Sequence, residues 1–298
     1  MAFIDIEKNK RTLLEKKGWE REEWFMYFIT VSEMLGTNGE KIAKQVAEIF
    51  HYTFYGEEEL LKAANEMGFH RDIEKLGEKG PTFLENLFSE KPKVYLDRLQ
   101  SVIYELAKKG DALFSGRGSQ LLLHAFDCAF HVLVTGSMKK RIQRVMEEKQ
   151  IGGEAAEKII RQSDQNKSGF LRYAFDEDWL DPRLYDLILN TDKLSTGSAV
   201  KILIDAAQSD EIKACGLDSV KSLGKLSLQR KVEAALLETG LSSQYLYFTV
   251  EDTDSVRLHG LVSSLEKKDK IETVLKGIKE IKKITNDLTI FKASSGGA

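Results

Sequence analysis

Trp24-Phe25-Met26-Tyr27-Phe28-Ile29-Thr30-Val31 is an unbroken apolar and β-prone run between charged flanks. Continuous hydrophobicity over strand length is the pattern of a strand buried on both faces. The run enters Gly36-Thr37-Asn38-Gly39, after which Ile42, Val46, Ile49 and Phe50 recur at helical spacing. Strand, glycine turn and helix together open a βαβ unit. A short strand follows at 52–55, then an acidic helix start at Glu57-Glu58-Glu59. Residues 68–93, with Gly77, Gly80, Pro81 and Pro92, read as an irregular insertion.

Val94, Leu96, Leu99, Ile103 and Leu106 then predict a helix over 94–109, with Lys108, Lys109 and Gly110 as its stop signals. Strands are expected at 112–114, 129–134 and 187–189, a tight turn at Gly116-Arg117-Gly118, and a basic helix from Ser137. This alternation argues for a parallel sheet with helices on both faces. The polar, small-residue stretch 208–227 reads as a linker. Beyond it the order is helix (228–239), strand (244–250), strand (255–261), helix (264–277) and strand (286–291), with a hairpin turn at Asp252-Thr253-Asp254. The expected division is a charged lead-in (1–24), an α/β domain (25–207), the linker, a small α+β domain (228–292) and a disordered tail (293–298).

Composition narrows the function. A net charge of −3 provides no field to gather nucleic acid, and no run reaches membrane-spanning length. The lead-in lacks the apolar core of a signal peptide, so a cytoplasmic protein is expected. Cys128 and Cys215, without metal-ligand spacing, suit reduced thiols rather than a disulfide framework. The histidines show no metal or triad spacing, so no metal site is expected in the protein itself.

Several segments carry candidate chemistry, each beside a plainer reading. The turn holding Gly36, Thr37, Asn38 and Gly39 is either an ordinary strand-to-helix turn or a phosphate cradle built from backbone N–H groups at a helix start. A phosphate loop wants a cation after its last glycine, but Glu40 stands there and Lys41 is one residue late. Arg117, between glycines at a strand end, is placed to fork onto phosphate or is a surface arginine. Arg141 and Arg144 share a helix face, and Arg161, Asp164 and Lys167 share another. These are a polyphosphate- and base-reading set or solvated ion pairs.

Taken together, residues 25–207 resemble the cytidylate-kinase-like family of phosphate-loop kinases. The carriers are Trp179, Asp181, Pro182, Tyr185-Asp186-Leu187 and Asn190-Thr191, together with Gly116-Arg117-Gly118. The resemblance implies that Arg117 meets a nucleoside monophosphate, that Arg141 is a lid arginine on the moving phosphoryl group, and that Asp164 and Lys167 help read the acceptor. It also implies ATP with Mg2+ as the donor if the enzyme is active, and CMP or ATP as the bound nucleotide. The family's loop pattern is S-R-x-x-G-S-G-G-R-E-I, whereas Glu33, Asn38 and Glu40 replace two arginines and a glycine here. Gly56 also stands where an acidic residue is expected. Each like-charge contact with a triphosphate costs on the order of 1–4 kcal/mol at surface-like dielectric values.

Residues 228–292 resemble a BON domain through Val232 and Leu236, the strand Val256-Arg257-Leu258-His259-Gly260, and Ile281, Ile284, Asn286, Leu288 and Ile290. That resemblance implies a lipid or protein partner. Three functions follow: a nucleotide-binding kinase relative with weak or lost phosphoryl transfer, an active CMP kinase using Lys41 and Arg141, or a regulatory protein acting through the small domain.

Overall fold

The computed structural model describes residues 27–69, 91–209, 211–212 and 216–291. The lead-in, the core of the 68–93 insertion and the tail lie outside the described residues. Two compact units emerge, one from residues up to 60 with 109–219, the other from 61–108 with 220 onward.

In the first unit, β1 (Phe28–Glu33) leads through a glycine turn into α1 (Gly39–Phe50) and β2 (Thr53–Tyr55). The acidic helix α2 (Glu57–Glu66) begins here, and α3 (Lys91–Ala107) follows in the chain. Then come β3 (Ala112–Ser115), the short α4 (Ser119–Leu122), β4 (Ala129–Thr135), α5 (Met138–Lys149) and the long α6 (Gly153–Phe175). A 3-10 turn (Pro182–Leu184), β5 (Leu187–Asn190) and α7 (Thr196–Ala207) complete it. The sheet is wholly parallel, in the order β2-β3-β1-β4-β5.

The apolar run therefore became the central strand, since only that place buries both faces. Ile29 and Val31 join Val132, Val134 and Leu189 on one face, under Ile42 and Val46 of α1 and Val200 and Leu203 of α7. Leu133 points to the other face, against Leu171 of α6, Trp179 and Tyr185. Inside the sheet Thr30 Oγ1 meets His131 Nδ1 at 2.7 Å, and burial pushes the imidazole down to about 4, so it stays neutral. The loops after β1, β3 and β4 leave the same carboxyl edge, where open α/β sheets hold ligands. Cys128, buried just before β4, is disulfide-bonded, which departs from the expectation of reduced thiols.

The second unit contains α8 (Leu217–Glu238), β6 (Leu246–Asp252), β7 (Ser255–Val262), α9 (Leu265–Lys276) and β8 (Lys283–Ile290). β6 and β7 form the expected antiparallel hairpin, and β8 joins β7 in parallel. Leu228, Val232 and Leu236 of α8, Ile271 and Leu275 of α9, and Val256, Leu258 and Leu288 of the strands share one core. Residues 217–227, expected as linker, are the first turns of α8.

Helix α3 lies in sequence within the expected 25–207 domain, yet it packs in this second unit along α8. Lys231 Nζ reaches Glu105 at 3.3 Å and Glu280 at 2.8 Å, Arg230 lies 3.4 Å from Asp97, and Arg98 pairs with Glu238. Ser227 Oγ donates to the Ser101 carbonyl at 3.3 Å.

Burial and the neighbouring Glu233 carboxylate push Asp97 from its ordinary 3.8 up to about 7. A carboxyl that holds its proton more tightly when folded adds stability at low pH and loses it as pH rises through the folded value. The melting-temperature advantage of Asp97→Asn over the parent chain should therefore grow between about pH 4 and pH 8, to a few degrees. An advantage that does not change with pH would show that Asp97 carries no extra proton in the fold.

Candidate functional site

The loop between β1 and α1 is shaped by residues that accept left-handed backbone. Gly36 has φ +86, and a Cβ there would come within 2.8 Å of the Arg141 carbonyl oxygen. Asn38, at the helix N-cap, has φ 63 and offers no side-chain cap to the helix. The first N–H groups of α1 therefore need another acceptor. Glu33 supplies it from the end of β1. Its Oε2 accepts the Glu40 N–H at 3.1 Å and lies 3.5 Å from Thr37 Oγ1, and the Gly39 N–H also favours the ionised carboxylate.

The other side of the loop is bound just as closely. Thr37 Oγ1 donates to the Met34 carbonyl at 2.7 Å, Arg141 Nε to Leu35 at 2.8 Å, and Arg144 Nη1 to Gly36 at 3.3 Å. Thr191 Oγ1 donates to the Thr37 carbonyl at 3.1 Å, while Arg144 donates to Thr191 Oγ1 at 2.9 Å and to its carbonyl at 2.5 Å. Asp192 Oδ1 accepts the Ser137 N–H at 2.8 Å, holding the start of α5 beside this strand end. Thr191 thus fastens the end of β5 to the phosphate-type loop, and the four consecutive carbonyls 34–37 are all occupied. The Trp179–Tyr185 part of the pattern is also architectural: Tyr185 Oη donates to the Trp179 carbonyl at 2.6 Å.

Arg141 and Asp164 are brought together, but by each other. Two guanidinium–carboxylate bonds of 2.9 and 2.7 Å join them, and Arg141 is 3% exposed. The side chain expected as a lid arginine is instead a buried brace between α5, α6 and the loop. Lys167 donates to the Glu33 carbonyl, lies 5.7 Å from the Trp179 ring centre and is attracted by the Glu33 carboxylate. Burial pushes its amine down and the Glu33 carboxyl up, while their mutual attraction opposes both shifts. Lys41 is not in the cradle: it is 61% exposed and lies 3.5 Å from Glu148 of α5. Glu40 is equally outward, paired with Lys44 at 2.7 Å. Arg117, in the left-handed region at φ 58, meets Glu57 at 2.5 Å. Glu57 is thus the acid beside the arginine turn, one residue after Gly56.

Gln120 escaped the sequence reading. It is 2% exposed, its Nε2 lies 3.4 Å from Tyr185 Oη, and its Oε1 has no partner. Its place two residues after Gly118 was the available signal.

The donor set does not fit magnesium-ATP. A carboxylate already lies on the loop's N–H groups, Glu40 stands where a cation is needed, and Lys41 supplies no hydroxyl for the metal. Among the described residues no group of three His, Cys, Asp or Glu side chains could hold a metal ion, and no helix is long and apolar enough to cross a membrane.

A parallel five-stranded sheet with a glycine loop between its central strand and first helix defines a phosphate-loop-kinase-like α/β fold. The family model described as "Cytidylate kinase-like family" matches residues 28–193, and the chain belongs to that family. Among solved structures, an uncharacterized protein from Eubacterium ventriosum is 18% identical, with a TM-score of 0.50 over 61% of this chain and 99% of its own. A shikimate kinase from Bacteroides thetaiotaomicron (13% identity, TM-score 0.40, 62% and 99% covered) is also similar. So is a gluconokinase from Sinorhizobium meliloti (15%, 0.38, 62% and 95%). No curated protein matches the chain.

Proposed function

We propose that the chain is a nucleotide-binding member of this family in which phosphoryl transfer is weak or lost. The carrying observation is that every cation nominated for the reaction already has a protein partner, while the loop's N–H groups hold Glu33. Catalysis in phosphate-loop kinases is mainly positioning and neutralisation of charge on the moving group. Arg141 is committed to Asp164, Arg144 to the Gly36 carbonyl and Thr191, and Lys167 to the Glu33 backbone carbonyl, which leaves the donor phosphates without counter-charge. On the acceptor side Arg117 is held by one exposed carboxylate, Glu57, which a monophosphate can displace. CMP binding therefore fits better than ATP binding.

With ATP, magnesium and CMP, a coupled assay should give turnover below about 0.01 per second, against the usual ~1–100 per second for kinases. In thermal shift, CMP should raise the melting temperature and ATP should leave it unmoved. Turnover in the usual range would overturn the reading.

The second unit is read as BON-like. Its support is that Val232, Leu236, Val256, Leu258 and Leu288, which carry the resemblance, are core residues of one helix-strand-strand-helix-strand module, with Ile281 and Ile284 packed on it. A lipid or protein partner and a cytoplasmic setting remain parts of this proposal. Flotation of the full chain with anionic vesicles tests the lipid arm.

A further inference from the structure

We infer that Glu33 is a built-in anion that keeps a latent polyphosphate site closed, with Lys167 as the cation that site would use. The inference rests on the reading of the β1–α1 turn as a phosphate loop.

The seat has the donors an anion needs. Left-handed residues at 36 and 38 turn the chain so that successive N–H groups converge at the start of a 12-residue helix. The seat also contains an anion: the Glu33 carboxylate takes the N–H groups of Gly39 and Glu40 and approaches the Thr37 hydroxyl. Gly39 makes room for it. A Cβ at position 39 would lie 2.4 Å from Glu33 Cβ and 2.5 Å from Glu33 Oε2. The half-buried Lys167 ammonium is attracted by this carboxylate and by Asp164 and repelled by Arg141, while Glu40 repels the carboxylate. Lys167 Nζ also donates to the backbone carbonyl of Glu33, which ties this cation to the same end of β1.

A tethered carboxylate competes with any free anion as an intramolecular ligand of roughly millimolar effective concentration. The apparent affinity for a phosphate chain falls by the fraction of time the seat is open. Removing the carboxylate vacates the N–H groups and takes away its attraction for the Lys167 ammonium, whose bond to the backbone carbonyl of residue 33 remains, so the two changes reinforce each other. Glu40 provides the control. Its carboxylate has nearly the same long-range repulsion but is outside the seat, paired with Lys44.

The test is calorimetric titration of the full chain with sodium tripolyphosphate and, separately, ATP. Glu33→Ala is expected to bind tripolyphosphate at least tenfold more tightly than the parent, while Glu40→Ala changes the affinity by less than about threefold. Adding Lys167→Ala to Glu33→Ala should abolish the gain. Should the alanine chain fail to fold, Glu33→Gln keeps the side-chain volume and one acceptor oxygen, and a gain of about threefold is expected. Two results would overturn the inference: no gain in a folded Glu33 variant, or equal gains at 33 and 40 (simple charge repulsion). The loss-of-transfer reading is scored separately. It fails if the parent turns over CMP, and it stands if Glu33→Ala gains binding without turnover, because Glu40 still occupies the cation's place.

Discussion

Arg141→Ala should lower the melting temperature of the kinase-like unit by roughly 6–12 °C. Removing one partner of a buried, doubly bonded pair leaves the other charge uncompensated, a loss of about 3–5 kcal/mol. Asp164 is 25% exposed, so the lower end applies, at about 3 kcal/mol. For a unit of this size each kcal/mol moves the midpoint by roughly 2–4 °C. The Leu35 carbonyl loses its partner in the same step, loosening the loop. A lid arginine waiting in solvent for a phosphoryl group would behave differently, because exposed substitutions usually stay within about 0.5 kcal/mol. Thermal denaturation followed by circular dichroism decides between these roles. A near-neutral Arg141→Ala would restore the lid reading.

Gly260→Ala should open the small sheet. Gly260 lies in β7 at φ +117, where an L side chain is strained, and a Cβ there would stand 2.0 Å from the Tyr245 carbonyl oxygen. That obstacle is backbone, already fixed by accepting the Leu261 N–H at 2.9 Å, so it cannot swing aside. Strain and clash together should cost about 3 kcal/mol or more. Hydrogen–deuterium exchange on the full chain gives the measurement. Amides of β6, β7 and β8 are expected to exchange about a hundredfold faster, while those of β1, β3 and β4 keep their protection. Unchanged protection in β7 would mean the strand accommodates a methyl group.

The candidate site was legible in composition and illegible in connectivity. The Gly36–Gly39 loop was marked by its glycines and the helical spacing behind it, and Arg117 by its flanking glycines. Glu40 stood out against the phosphate-loop pattern, and Glu33 only against the loop of the family the chain resembles. Spacing gave no sign that they differ, one seated on the loop and one turned outward to Lys44. That difference depends on the left-handed turn at Asn38, which sets where the helix's first N–H groups point. Arg141 was marked by the helix face it shares with Arg144 and by the family resemblance, which implies a lid arginine. Its bond to Asp164 crosses 23 residues and follows from how α5 and α6 pack.

The chain by itself determined the parallel α/β class and the helix-strand-strand-helix-strand order of the small module. These are written in local periodicity, because a strand buried on both faces needs an unbroken apolar run and a hairpin needs turn residues between two such runs. The tertiary structure alone decided that α3 joins α8 rather than the neighbours nearest in sequence, and that the loop's donors meet a carboxylate of their own chain. The first depends on charges of α3 and α8 that find partners across 126 to 140 residues, the second on how the left-handed turn folds back onto Glu33. Such pairing is set by three-dimensional packing, because a buried charge must be neutralised wherever the fold places it.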